Sequence, residues 1–171
     1  MALDGKMHTV TTVRVALRTI TGAALLFFLL QLPAAPPAFA TPSFEGSGTI
    51  SAGVHVLTGI RMTDDGNLII EVTGTHEITG TLSGTFVEQE VYTVQPTGET
   101  HVRTQALFNG TVAGKTGTAV IEFRGVLAGA VAVGSFVVRN GTGGLVGLHA
   151  EGTAEITVGV GGTYSGQFHF D

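Results

Sequence analysis

An alternating pattern of apolar and polar side chains runs through residues 54–72, which read VHVLTGIRMTDDGNLIIEV. Alternation with a period of two is typical of a β-strand that buries one face. The two alternating runs are separated by Asp64-Asp65-Gly66-Asn67, a sequence rich in residues that favour tight turns. The segment therefore predicts a β-hairpin.

The same pattern recurs through the rest of the chain, and no segment after Thr41 has the spacing of an amphipathic helix. Turn-forming pairs separate the runs, among them Asn109-Gly110, Gly114-Lys115 and Asn140-Gly141. Regularly spaced short strands with such turns predict an all-β sandwich or barrel. Besides the hairpin, we predict strands at residues 44–52, 79–94, 101–108, 117–126, 130–138, 149–158 and 163–170.

Glycines inside the predicted strands favour a barrel over a sandwich. A glycine weakens a strand, but it allows the sharp coiling that a small closed sheet requires. Closure also removes exposed strand edges. We therefore predict one antiparallel β-barrel of about eight strands over residues 41–171. The glycines concerned are Gly74, Gly80, Gly84, Gly117, Gly125, Gly129, Gly134 and Gly152.

The first 40 residues have the three parts of an export signal. Lys6, Arg14 and Arg18 supply positive charge, residues 20–32 are almost entirely apolar, and Ala38-Phe39-Ala40 matches a cleavage site. The alternative is a membrane anchor, but a span needs about 20 apolar residues. We predict a signal peptide over residues 1–40, a secreted or extracytoplasmic protein, and no membrane span after cleavage.

Charge and cysteine content exclude several classes of function. Removal of residues 1–40 leaves five basic and 12 acidic residues, a net charge of about −7 without a basic stripe. Nucleic-acid binding depends on Lys and Arg that neutralise phosphates, so no nucleic-acid partner is expected. The chain has no cysteine, which excludes disulfides and thiolate ligands.

Three segments carry a resemblance to a known family. Residues 108–120, FNGTVAGKTGTAV, resemble the G-x-x-x-G-x-x-G-x-hydrophobic hairpin of a bacterial family, domain-of-unknown-function family 3224. Residues 134–153, GSFVVRNGTGGLVGLHAEGT, resemble its GSGTGELxGLRGEG signature, with His149 and Ala150 in place of Arg and Gly. Residues 162–171 resemble its closing strand. The resemblance implies an antiparallel barrel similar to allene oxide cyclase and the dirigent proteins, and it implies no settled activity.

Two pairs of charged residues are the candidate catalytic groups. Glu122 and Arg124 share one face of a predicted strand, opposite the apolar Ala119, Ile121 and Phe123. They form either a solvated ion pair or, if they point into the barrel, a general acid or base with a shifted pKa.

The second candidate pair follows a glycine-rich loop. His149 and Glu151 share a strand face directly after Asn140-Gly-Thr-Gly-Gly144. That loop lacks the lysine and the following helix of a phosphate-binding loop, so it predicts a tight turn and no cofactor site. The five histidines of the mature chain have no short metal-ligand spacing, so no metal site is predicted.

These observations leave three functions open. One is a non-catalytic barrel that binds a small apolar molecule or associates with its own copies. Another is an isomerase or cyclase that acts on an apolar substrate in the lumen, as the fold resemblance implies. The third is a structural module with a filled interior. Six phenylalanines are candidates for lumen or subunit contacts: Phe86, Phe108, Phe123, Phe136, Phe168 and Phe170.

Overall fold

The computed structural model describes residues 42–171, so the predicted signal peptide lies outside the described residues. Within this range no helix is long and apolar enough to cross a membrane. The described residues form nine strands and a short 3-10 turn at Gly143–Leu145. The strands are β1 (Phe44–Ser51), β2 (Val54–Met62), β3 (Leu68–Gly80), β4 (Leu82–Val94), β5 (Thr100–Val112), β6 (Lys115–Ala128), β7 (Val131–Arg139), β8 (Leu148–Thr157) and β9 (Gly161–Phe170).

Eight of the nine strands close into an antiparallel barrel. Each strand from β3 to β9 pairs with the next along the chain, and β1 pairs with β9 on one side and β3 on the other. The predicted single antiparallel barrel of about eight strands is therefore confirmed. The ninth strand, β2, continues along the edge of β3 beyond the point where β1 leaves it.

Glycines lie opposite one another in rows that cross neighbouring strands. In one row Gly46 pairs with Gly166, which pairs with Gly152. At Gly152 a Cβ atom would lie 2.1 Å from the Ser165 carbonyl oxygen, so only glycine fits. Such rows allow the sheet to coil tightly, as the sequence argument for a barrel required. The other rows are Gly84–Gly110–Gly117, Gly125–Gly134 and Gly48–Gly80.

Most of the predicted turns are confirmed. Asp64–Asn67 joins β2 to β3, with the Gly66 amide donating to the Thr63 carbonyl over 3.0 Å. The glycine-rich loop after β7 includes Asn140 and Gly143 at positive φ, 56° and 61°. The turn predicted at Asn109-Gly110 is wrong, because both residues lie within β5. Gly110 belongs to a glycine row, and the chain reverses at Ala113 and Gly114, again at positive φ.

One end of the barrel is filled and the other is hollow. The largest fully buried side chains are Phe108, Phe168, Leu82, Leu145, Leu148, Val112 and Val138. Of these only Leu82 borders a cavity, so the others fill the end of the barrel where the loop after β7 packs. Phe86, Phe123 and Phe136 line the hollow part instead. Three of the six phenylalanines predicted for lumen or subunit contacts therefore border the lumen, and Phe108 and Phe168 lie in the filled end, which we call the plug. Subunit contacts stay a prediction.

Candidate functional site in the barrel lumen

A cavity of about 400 Å³ occupies the hollow part of the barrel. It reaches the end of the barrel at the β8–β9 turn, where Thr157, Val158 and Gly159 border it. Small-molecule sites are typically of this size and apolar with a few polar groups. Its apolar walls include Ile70, Val72, Ile78, Phe86, Val102, Ala106, Ile121, Phe123, Leu127, Ala132, Phe136, Ala154 and Ile156.

Strands β2, β3 and β4 place most of the polar side chains of the cavity on one wall. Alternation along β4 directs Glu88, Glu90 and Tyr92 to the lumen on the same face as Phe86. His76 comes from β3 and His55 from β2. We name these five residues, His55, His76, Glu88, Glu90 and Tyr92, the lumen cluster.

His76 and Glu88 form the buried centre of the lumen cluster. His76 is 5% exposed and Glu88 6%. The His76 Nδ1 atom lies 2.9 Å from the Ser51 carbonyl oxygen, so Nδ1 carries a proton that it donates to this acceptor. Nε2 lies 2.7 Å from Glu88 Oε1 but lacks a hydrogen bond of good geometry. Burial alone would lower the pKa of His76, but the Glu88 carboxylate and the Ser51 carbonyl outweigh it and raise that pKa.

Glu90 and Tyr92 form a second polar pair. The Tyr92 hydroxyl donates to Glu90 Oε2 over 2.9 Å. Burial and the nearby Glu88 carboxylate raise the pKa of Glu90 to about 7. Burial and the neighbouring Glu90 carboxylate also raise the pKa of Tyr92, which keeps its hydroxyl protonated. The mainly apolar cavity therefore contains one carboxyl group, that of Glu90, whose charge changes near neutral pH.

His55 lies at the border between the lumen cluster and solvent, with 31% of its side chain exposed. Its Nε2 atom is 3.9 Å from Glu88 Oε1 and 3.9 Å from Glu90 Oε2. Its ring meets the His76 ring edge to face, with centroids 4.8 Å apart. The lumen cluster is therefore accessible to solvent at His55, which lies on the extra strand β2.

The structure places Glu122 and Arg124 on the outer face of β6, while Ile121 and Phe123 face the lumen. The Arg139 Nη2 atom donates to Glu122 Oε2 over 2.8 Å, and Arg124 is exposed. The sequence correctly identified the packed face of this strand. Of the two alternatives for the charged face, solvent and lumen, the structure agrees with solvent: the barrel interior takes the apolar face, and Glu122 pairs with Arg139 on the outside.

His149 and Glu151 also lie on the outside of the barrel. The exposed His149 ring stacks on His169 with centroids 5.3 Å apart, and its Nε2 lies 3.0 Å from Asp171 Oδ2. Glu151 borders a shallow polar groove together with Glu45 and Gln167. Neither residue borders the lumen, and a catalytic role for any of the four candidates stays a prediction.

Sequence reasoning missed the lumen cluster as a unit. Close spacing along the chain does not reveal its histidines, because His55 and His76 are 21 positions apart and meet only through strand pairing. One signal was present: in Glu88-x-Glu90-x-Tyr92, three polar residues follow Phe86 on one strand face. Since Phe86 marks the buried face, this pattern indicates polar groups in the interior.

Comparison with known proteins adds one finding to this geometry. No family profile and no curated protein matches the chain. A solved protein of unknown function from the DUF3224 family of Shewanella oneidensis MR-1 is similar in structure, with a TM-score of 0.64 and 16% sequence identity. The similarity covers 76% of this chain and 99% of that one. This chain therefore has the barrel fold of a solved DUF3224 protein, from the family that its glycine motifs resemble.

Proposed function

We propose that the barrel binds a small, mainly apolar molecule in its lumen, and that the molecule carries one hydrogen-bond donor or amino group. The observation that carries this proposal is the cavity of about 400 Å³, which is bordered mainly by apolar side chains and has most of its polar side chains in the lumen cluster. A structural module would gain stability by filling such a space, since interiors are normally close-packed. A retained cavity with few convergent polar groups is typical of a binding site.

The polar end of the ligand follows from the chemistry of the lumen cluster. Glu88 and Glu90 present carboxyl oxygens, which accept hydrogen bonds. The Tyr92 hydroxyl is already used as a donor to Glu90. A ligand that donates a hydrogen bond or carries a positive charge is therefore favoured over an anion.

The test is a fluorescence titration with N-phenyl-1-naphthylamine, an uncharged aromatic probe with one N–H donor. The full-length protein is compared with Ala132→Phe, which adds a ring to the lumen from a residue that is 6% exposed. Val133→Phe is the matched control, because the neighbouring Val133 is 52% exposed. We expect Ala132→Phe to weaken binding at least about tenfold and Val133→Phe to leave it unchanged.

Equal binding by all three proteins, or no binding by the unmodified protein, would contradict the proposal. Far-UV circular dichroism of each variant checks that the barrel is retained. The isomerase or cyclase alternative requires turnover in addition to binding, and no residue of the lumen is assigned to it by the resemblance. Binding is therefore the function that the cavity supports best.

Self-association is a second candidate, and the extra strand β2 favours it. Within residues 42–171 this strand pairs only with β3. Its exposed apolar side chains are Val54, Val56, Leu57, Ile60 and Met62, each at least 59% exposed. A free edge with apolar side chains is a template for pairing with another strand, and two copies of β2 would continue the sheet across a two-fold axis.

Light scattering after size-exclusion chromatography tests this second candidate. We expect the full-length protein to be a dimer and Val56→Lys to be a monomer, because a charge on an edge strand opposes pairing. Thr85→Lys, at an exposed position of β4, a strand that is paired on both sides, is the control and should remain dimeric. A monomeric unmodified protein would exclude self-association through β2.

A further inference from the structure

We propose that His55, His76 and Glu88 bind a divalent transition-metal ion, with zinc as the reference case. The three donor atoms, one from each residue, all lie within 4.8 Å of one another. They come from three adjacent strands, and the proposal does not depend on the lumen binding an organic molecule.

Strand register explains how the three residues meet. His55 of β2 pairs with Gly74 of β3, and Gly74 pairs with Glu88 of β4. A Cβ atom on Gly74 would lie 2.8 Å from Glu88 Oε1 and 3.1 Å from both His55 Cδ2 and His76 Nε2. The glycine therefore leaves open the space in which the imidazoles and the carboxylate converge.

The hydrogen bond made by Nδ1 fixes the orientation of the His76 ring for metal binding through Nε2. Nδ1 donates a hydrogen bond to the Ser51 carbonyl oxygen, so in the neutral imidazole the lone pair is on Nε2. Metal-binding histidines commonly have their other nitrogen fixed by a carbonyl or carboxylate in this way. Nε2 is aimed into the lumen cluster, is buried, and has no hydrogen-bond partner of good geometry within the described residues. An ion would satisfy this atom.

The distances require side-chain movements of about half an ångström to about 1.4 Å, the largest because the three donor atoms spread over up to 4.8 Å. Bonds of about 2.0–2.2 Å in tetrahedral geometry separate ligand atoms by about 3.4 Å. His76 Nε2 and Glu88 Oε1, now 2.7 Å apart, would separate by roughly half an ångström or slightly more. His55 Nε2 and Glu88 Oε1, now 3.9 Å apart, would approach by roughly the same amount.

The donor set and its surroundings indicate the class of ion. Imidazole nitrogens with a carboxylate suit zinc, iron and related ions, whereas calcium and magnesium prefer oxygen ligands alone. Glu90 lies beside this group of ligands, with its Oε2 atom 3.9 Å from His55 Nε2. A dication would therefore balance the charge of two carboxylates, Glu88 and Glu90, in a mainly apolar cavity. His55 is partly exposed, which gives an ion a path of entry.

Zinc binding to the EDTA-treated full-length protein tests the proposal by isothermal titration calorimetry. We expect one zinc ion per chain, and at least about tenfold weaker binding in both His55→Ala and Glu88→Gln. The control is the double variant His149→Ala/His169→Ala, which removes the exposed imidazoles beside Asp171. That variant should retain zinc at the lumen cluster, as should the lumen-filling Ala132→Phe.

Cobalt provides an independent readout of the ligands. Visible absorption of the cobalt-loaded protein should change in Glu88→Gln and stay unchanged in the double variant. The proposal is overturned if the unmodified protein binds no zinc, if His55→Ala and Glu88→Gln bind zinc as tightly as the unmodified protein does, or if binding is lost only in the double variant. Unfolding midpoints of the metal-free variants separate loss of ligands from loss of fold. If Ala132→Phe loses probe binding and retains zinc binding, the two sites are independent, and each proposal can fail without the other.

Discussion

Gly53 and Gly74 leave space around His76, and a residue with a side chain would not fit at either position. Gly53 follows β1 with φ at +68°, where other residues are strained. A Cβ atom there would lie 2.5 Å from His76 Cε1 and 2.6 Å from the Thr75 carbonyl oxygen. The break between β1 and β2 and the position of the buried imidazole therefore depend on the same residue.

We expect Gly53→Ala to destabilise the barrel by about 2–4 kcal/mol, because it adds a contact with His76 and the Thr75 carbonyl to the backbone strain. Gly98→Ala is the matched control: φ is +90° there, but nothing lies within 4 Å of the added carbon. Strain alone should cost about 1 kcal/mol. Urea unfolding of both variants measures the difference, and equal losses would contradict the close packing at His76.

Glu90 should make the metal-free protein less stable as the pH rises. The ordinary pKa of glutamate is 4.5, and in the folded protein that of Glu90 is about 7. The folded state therefore binds the proton more tightly, and its advantage is full below about pH 4.5 and is lost as the pH rises through 7. His55, His76, Glu88 and Tyr92 face this group.

Urea unfolding at pH 5 and pH 8, in EDTA, measures this effect. The unmodified protein should lose about 1–3 kcal/mol more stability between these pH values than Glu90→Gln does. His76, whose raised pKa acts in the same direction, contributes part of this difference, because the Glu90 carboxylate is one cause of that raised pKa. A larger loss in Glu90→Gln would show that burial does not favour the protonated carboxyl group.

At the scale of the strand, alternation predicted which residues share a face but not which polar face meets the lumen. On β6 the apolar face of Ile121 and Phe123 was correctly identified, and of the two placements left open for the charged face the outer one is observed. On β4 the lumen face itself is mixed, with Phe86 beside Glu88 and Glu90. Which polar residues converge depends on register between strands, and the sequence does not contain that register explicitly.

The outer ion pair between Glu122 of β6 and Arg139 of β7 should contribute little to stability or binding. Glu122 and Arg139 are 28% and 48% exposed, and exposed ion pairs contribute about 0–1 kcal/mol. We therefore expect Glu122→Gln to change the free energy of unfolding by less than about 1 kcal/mol and to leave the affinity for N-phenyl-1-naphthylamine unchanged. A large loss of probe affinity in this variant would restore the sequence-based hypothesis that Glu122 acts at a binding site.

At the scale of the whole molecule, the barrel combines a filled end with a hollow one. Glycine rows and alternating strands made the closed sheet predictable from the sequence. The division of the interior was not predictable, since Phe108 and Phe123 have the same character in the sequence but lie in the plug and at the cavity. The volumes of the inward-pointing side chains decide which end of a closed barrel is filled, and all eight strands contribute those side chains.

Export is the remaining prediction for the whole chain. Residues 1–40 have the charge, the apolar run and the Ala38-Phe39-Ala40 site of a signal peptide. We expect N-terminal sequencing of the protein recovered outside the cytoplasm to begin at Thr41. Recovery of a chain that still contains Leu25–Leu30 would contradict cleavage.

The most direct test of lumen binding is a crystal structure of the full-length protein with N-phenyl-1-naphthylamine. The account predicts electron density for both rings among Phe86, Phe123 and Phe136, with the probe's N–H directed at the carboxyl oxygens of Glu88 or Glu90. Density for the probe on the outer groove beside Glu45 and Glu151, with side chains filling the lumen, would contradict it.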